Sequence, residues 1–176
     1  MKFIPTSLAG AYVIEPERLE DERGYFARTF CRDEFLAHGL NPSLVQCNVS
    51  FNARKGTLRG MHYQAKPHEE AKLVRCTRGG VFDVIVDIRE GSPTRLQWFT
   101  TNLTAENGRM LYIPEGFAHG FQTLEDNSEL FYQMSERYSP QSAWGLRWND
   151  PAIGIRWPIA NPVMSQRDAT FGDIAS

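Results

Sequence analysis

Ala71-Lys72-Leu73-Val74-Arg75-Cys76-Thr77-Arg78-Gly79-Gly80-Val81-Phe82-Asp83-Val84-Ile85-Val86-Asp87-Ile88 consists of two β-type runs separated by a pair of glycines. Such spacing predicts a hairpin closed by a two-glycine turn. Its second run would put Phe82, Val84, Val86 and Ile88 on one face and Val81, Asp83, Ile85 and Asp87 on the other. Moving toward the N-terminus, Val45 to Phe51 alternates again, with apolar residues at odd positions and Gln46, Asn48 and Ser50 at even ones. Toward the C-terminus, strands are expected at Leu96 to Leu103, Arg109 to Ile113, Gly120 to Leu124 and Glu129 to Met134. Many short strands with turn signals between them predict an all-β antiparallel sandwich or barrel, most simply a jelly roll.

The remaining structure is sparse. Arg32 to His38 reads as a short helix, with Asp33 and Glu34 suiting its start and Gly39 its end. Polar strand faces have two meanings. Ordinarily they point to solvent, but in a ligand-holding barrel they line the interior while the apolar face packs against another layer or subunit. The segments bearing Gln46 and Asn48, Arg59 and His62, and Lys72 are the ones expected to turn inward.

Length and composition exclude several classes of function. The 176 residues correspond to a single domain spanning 1–176, with no linker or repeat along the chain. Nineteen basic against 21 acidic residues give a net charge of -2, so no global field draws in nucleic acid or an anionic membrane. Phosphate binding therefore calls for a local pocket. The cysteines Cys31, Cys47 and Cys76 are too few and scattered for a disulfide framework, which fits a reducing, cytoplasmic setting. The segment starting at Met1 lacks the apolar core and cleavage site of a signal peptide, and no apolar run reaches membrane-spanning length.

Four histidines carry the candidate chemistry. His38 suits a helix C-terminus and His68, in Lys66-Pro67-His68-Glu69-Glu70, suits solvent. His62 in Leu58-Arg59-Gly60-Met61-His62-Tyr63-Gln64 and His119 in Pro114-Glu115-Gly116-Phe117-Ala118-His119-Gly120 are both flanked by glycine, which serves either a site or an ordinary bulge. The Pro114-x-Gly116-x-x-His119 pattern resembles the second motif of the cupin superfamily of small jelly rolls, many of which hold a metal. Metal-binding cupins supply two histidines separated by one residue in their first motif, and here the second of these is Gln64. A barrel without a metal is the expectation.

A specific resemblance extends in order from about Ile4 to Asp168. Asp21-Glu22-Arg23-Gly24-Tyr25-Phe26, Gly56-Thr57-Leu58-Arg59-Gly60-Met61-His62-Tyr63-Gln64, Ala71-Lys72-Leu73-Val74-Arg75, Ile113 to Phe121, Tyr132, Tyr138-Ser139-Pro140, Trp148-Asn149-Asp150-Pro151 and Ser165-Gln166-Arg167-Asp168 are similar to the dTDP-4-dehydrorhamnose 3,5-epimerase family. The resemblance implies an isomerase acting on a nucleotide-diphosphate-linked 4-keto-6-deoxy sugar. A base takes a proton beside the ketone, the enolate is held, and an acid returns a proton on the opposite face. The ketone is itself the electron sink, so no cofactor is implied.

By the same resemblance His62 is the base, and imidazole, with a reference pKa of about 6.5, accepts protons near neutrality. Asp168 pairs with it, as the carboxylate does in a Ser-His-Asp triad. Tyr132 is the acid and Lys72 steadies the enolate, with Arg59 and His119 lining the pocket. From the residues alone, Asp168 reads as a solvated tail residue, Tyr132 as a core aromatic and Lys72 as a surface lysine. Asp83 suits a carboxylate behind a histidine, or one that satisfies a buried donor. Gln46 and Asn48 suit sugar or phosphate oxygens, Arg23, Arg59 and Arg167 suit the diphosphate, and Tyr138 belongs to the binding set. The family forms homodimers whose N-terminal region crosses to the partner, which would place Arg23 and Phe26 in the neighbour's site.

Two positions depart from the pattern. Arg28 stands where rhamnose-pathway members commonly have a glutamate, and arginine can only donate where a carboxylate accepts from thymine N3. The base contact is therefore expected to differ. Ala143 and Trp144 also depart, and Trp144 suits stacking on a base or burial at a dimer interface. Related 3,4-ketoisomerases move a proton along one face and need no opposed acid, so Tyr132 favours epimerisation. A metal-dependent cupin enzyme and a noncatalytic sugar-nucleotide-binding cupin are the competing readings.

Overall fold

The computed structural model of the chain describes residues 1–174. The described residues form thirteen strands and two short helices, with eleven of the strands in two facing antiparallel sheets. One has six strands in the order β1 (Lys2–Pro5), β2 (Tyr12–Glu15), β10 (Met110–Ile113), β7 (Lys72–Arg78), β12 (Ser128–Met134) and β5 (Gln46–Asn52). The other has five, in the order β13 (Ala143–Gly145), β6 (Leu58–Gln64), β11 (Phe117–Thr123), β8 (Gly80–Asp87) and β9 (Trp98–Thr104). The architecture is the expected all-β jelly roll of cupin type. Separate from both sheets, β3 (Arg18–Asp21) and β4 (Gly24–Ala27) pair as a two-stranded ribbon.

The glycine pair does not close a hairpin. β7 lies between β10 and β12, whereas β8 lies in the opposite sheet between β11 and β9, so Gly79-Gly80 is the corner where the chain changes sheets. Gly79 has φ +69°, and a Cβ there would come within 2.6 Å of Ser128 Oγ. This close approach serves a corner as readily as a turn. The pairing was decided by partners distant in sequence: β8 aligns with Phe117 to Thr123 on one side and Trp98 to Thr104 on the other.

Between the sheets, Val74, Cys76, Leu111, Ile113 and Leu130 from one side meet Val81, Ile85, Leu103, Phe117 and Phe121 from the other. Thus the face of β8 that carries Asp83 and Asp87 points inward, and both aspartates are fully buried. Its other face, with Val84 and Val86, is covered by Leu146, Ile153 and Ile155. α1 (Arg32–Ala37) covers the outside of the six-stranded sheet by burying Phe35 against Ile14, Leu73, Met110 and Tyr112. His38 stacks on Phe3 with ring centroids 3.9 Å apart, in keeping with a structural role.

Asp87 shows how an inward carboxylate is tolerated. It accepts from the Arg89 amide and guanidinium and from the Ser92 and Thr94 hydroxyls at 2.6–3.0 Å. Burial raises its pKa, but these donors outweigh burial and hold the carboxyl far below the usual range. A depressed native pKa stabilises the fold above the unfolded value of 3.8 and loses that stabilisation as pH falls toward the native value. Asp87→Ala is expected to lower stability at pH 7 by about 3 kcal/mol, because it leaves buried donors unpaired. Urea titrations should also show a shallower loss of stability below about pH 4 than in the unmodified chain, removing one contribution to acid unfolding.

Candidate active site

Strict alternation along β6 would send Arg59 and His62 to opposite faces. A bulge prevents this. His62 registers with His119 and Arg59 with Phe121, so Gly60 and Met61 together oppose the single residue Gly120. Gly60 has φ +141°, and a Cβ on it would sit 2.6 Å from the Gly120 Cα. Gly60 and Gly120 therefore permit the close approach at the bulge, and the bulge turns Arg59 and His62 into the same cavity. Its volume is about 470 Å³, in the range of small-molecule sites, and it opens between the sheets beside the apolar core.

His62 Nε2 lies 2.8 Å from Asp168 Oδ1. The aspartate sits on α2 (Gln166–Ala169), a helix not foreseen from the sequence, whose N-cap Ser165 accepts from the Asp168 amide at 3.1 Å. The other carboxylate oxygen accepts from the Gly60 amide at 3.2 Å. Asp168 is 5% exposed and not the solvated tail residue that its position suggests. Burial raises its pKa, yet the His62 hydrogen bond and charge, the Gly60 amide and Ser165 outweigh it, so the carboxyl lies below its ordinary value. With Asp168 ionised, Nε2 is the nitrogen that donates to it, which in a neutral imidazole leaves the lone pair on Nδ1. Phe171, which drew no attention in the sequence, packs its ring edge-on to the imidazole at 5.8 Å.

The six-stranded sheet supplies the opposite wall. Gln46 and Asn48 of β5, Lys72 of β7 and Tyr132 of β12 all line the cavity. Lys72 is 7% exposed and its Nζ lies 2.8 Å from Glu70 Oε1. Tyr132 registers with Asn48 and Val74, and its ring packs against the apolar core. Burial lifts its phenol above the ordinary tyrosine value, with Arg59 opposing and Glu70 adding to the rise. The imidazole of His62 and the phenol thus come from different sheets, which neither strand's sequence could disclose.

The five-stranded sheet adds a second imidazole. His119 Nε2 lies 3.0 Å from both carboxylate oxygens of the buried Asp83. Arg59 donates through Nε to Asn52 Oδ1 at 2.7 Å, which steadies its guanidinium at the cavity. Gln64, at the position where metal-binding cupins place a histidine, donates to the carbonyls of His68 and Arg137 and accepts from the Ser139 amide at 2.6–3.2 Å. It ties two loops together. Among the described residues no group of three His, Cys, Asp or Glu is arranged to hold a metal ion.

Tyr138, Trp144 and Arg167 line the cavity as well, Trp144 being 57% exposed. Arg23, Phe26 and Arg28 do not belong to this chain's cavity. Arg23 pairs with Asp21, Arg28 with Glu34 at 2.8 Å, and Phe26 stands 72% exposed on the β3–β4 ribbon.

A histidine–carboxylate pair facing a phenol and an ammonium across a jelly-roll cavity defines an acid–base site of the isomerase type, suited to removing a proton from one face of a ligand and returning one to the other. A family-level sequence profile described as dTDP-4-dehydrorhamnose 3,5-epimerase matches residues 5–176. The Shigella flexneri dTDP-4-dehydrorhamnose 3,5-epimerase is 46% identical over 169 residues, 96% of this chain and 93% of that one. The Bacillus anthracis enzyme of that name, with TDP and PPi bound, superposes with a TM-score of 0.95 at 39% identity, covering 98% of this chain and 99% of that one. The Legionella pneumophila dTDP-6-deoxy-D-glucose-3,5-epimerase, in complex with dTDP-4-keto-L-rhamnose, gives 0.92 at 39%, covering 98% and 92%. The chain belongs to the dTDP-4-dehydrorhamnose 3,5-epimerase family and is an isomerase of the carbohydrate-epimerase class.

Proposed function

We propose that the chain inverts C3 and C5 of a thymidine-diphosphate-linked 4-keto-6-deoxy sugar. The observation that carries this reading is the His62–Asp168 pair on one wall with Tyr132 on the other. His62 Nδ1 takes the proton from a carbon beside the ketone, and the electron pair moves onto the ketone oxygen as an enolate. Lys72, with His119 and Arg59 nearby, supplies donors for that oxygen. Tyr132 then gives its proton to the other face of the carbon. The ketone supplies the electron sink, and the proposed chemistry uses no cofactor.

Arg59, Arg167 and the amides of Gln46 and Asn48 are the groups for the diphosphate and sugar oxygens, and Tyr138 and Trp144 offer flat surfaces at the mouth for the base. Proton NMR of a panel of 4-keto sugar nucleotides in D2O tests the reading. Deuterium should enter at C3 and C5 of the thymidine-linked substrate with an epimerised product; absence of both exchange and product across the panel would reduce the chain to a binding protein.

The working unit in this proposal is a homodimer of one-domain chains in the cytoplasm. Val49 and Phe51 form part of an exposed row on the outer face of edge strand β5, and Leu19 and Phe26, paired across the β3–β4 ribbon, expose a second apolar surface. A second copy would cover these surfaces and bring Arg23, Phe26 and Arg28 to its partner's cavity. Among the described residues, no helix is long and apolar enough to cross a membrane. Light scattering should report twice the chain mass, and a strictly monomeric, active protein would remove this assembly.

A further inference from the structure

Glu70 stands just ahead of β7 and lines the same cavity wall as Lys72 and Tyr132. It is 8% exposed, an unusual position for a carboxylate. One oxygen, Oε1, meets the Lys72 ammonium at 2.8 Å. The other, Oε2, is buried with no hydrogen-bond partner, and among the described residues it is the only buried side-chain oxygen or nitrogen in that condition. A half-satisfied carboxylate costs stability, so its presence beside the reacting groups has a cost that a role in the chemistry would offset.

We propose that Glu70 is a positioning residue of the reaction, its carboxylate fixing the Lys72 ammonium at the cavity wall and setting the charge around the Tyr132 phenol. This rests on the reading of Tyr132 as the proton donor. The charge balance around the phenol is specific. Arg59 and His62, the latter paired with Asp168, line the same cavity from β6, His119, backed by Asp83, from β11 and Arg167 from α2, while β5 presents the neutral amides of Gln46 and Asn48. Without Glu70, the nearby ionised groups would be mainly cationic and would favour the phenolate. With Glu70 in place the pair it makes with Lys72 is neutral overall, and the phenol keeps the proton it must deliver. In agreement, Glu70 acts to raise the Tyr132 pKa, in the same direction as burial and against Arg59.

Glu70→Gln preserves shape and removes the charge, and two readouts test it. In 13Cζ-tyrosine NMR, with the Tyr132 signal identified by its loss in Tyr132→Phe, the titration midpoint of Tyr132 should fall by about half a unit or more in Glu70→Gln. This measurement needs no substrate and so stands apart from the fate of the epimerase reading. In turnover, kcat should fall about tenfold with KM nearly unchanged, and the alkaline limb of the pH profile should move to lower pH; Glu70→Asp should recover part of the loss. An unmoved Tyr132 midpoint overturns the proposal, as does a fall in kcat at every pH with no shift of the limb. Thermal melting of both variants separates these outcomes from misfolding. If the midpoint moves but the unmodified chain turns over no 4-keto sugar nucleotide, the charge effect stands and its assignment to the reaction is overturned.

Discussion

Replacing His62 with alanine is expected to stop deuterium entry from D2O at the carbons flanking the ketone and to lower kcat by about a thousandfold, within the range for loss of a general base. The expectation follows from geometry. His62 is the one imidazole held through Nε2 by Asp168, and its side chain is 42% exposed, so Nδ1 is available to a ligand in the cavity. The other imidazole of the cavity, His119, has a side chain only 11% exposed and is held by both oxygens of Asp83, which suits it to donate rather than to exchange protons with solvent. Partial exposure also limits the structural cost of the change. Circular dichroism melts should shift by only about a few degrees, so lost exchange would report chemistry and not unfolding. Exchange persisting at the unmodified rate would remove His62 as the base.

Tyr132→Phe is expected to separate two events that the unmodified enzyme couples. Proton abstraction should continue, because His62 and Asp168 on the facing sheet are untouched, and the half-exposed imidazole can trade its proton with solvent. Deuterium should therefore still enter the substrate, returned to the face it left. Inversion should fall about a hundredfold or more, since the variant lacks the phenol proposed as the acid of the opposite wall. The ring itself stays packed on the core, so the fold retains that contact. NMR in D2O reads both quantities in one sample: label without inversion supports the two-base geometry, and inversion at the unmodified rate would show that the acid lies elsewhere.

These two residues also show how far the sequence could be read. The strand of Tyr132 was expected from the sequence, and the segments bearing Gln46, Asn48, Arg59, His62 and Lys72 were expected to turn inward and do line the cavity, but the bulge that brings Arg59 and His62 to one face breaks the period and was not legible. Four-residue strands such as β1 to β4 were not legible, because four positions are too short a window for a period to show. Glu70 and Phe171 were missed for different reasons. The first lies in a charged loop that reads as solvated, and the second lies beyond the last recognisable motif. A carboxylate two residues before a lysine expected to face inward was the one available signal for Glu70.

What the sequence determined by itself was the β-rich class, the absence of a global charge field for nucleic acid, and the presence of motifs whose order matches the epimerase family. The first two reside in local periodicity and composition, and the third in a resemblance carried by the motifs themselves. Only the tertiary structure decided which sheet each strand joined, and it overturned the hairpin at Gly79-Gly80, because β pairing is settled by partners distant in the chain. It alone brought Asp168 to His62 across 106 residues, buried it under the N-cap of a four-residue helix, and set Tyr132 on the facing wall. The physical reason is that a side chain's chemistry depends on burial and on the charges around it, and both are properties of the folded neighbourhood, not of the residue.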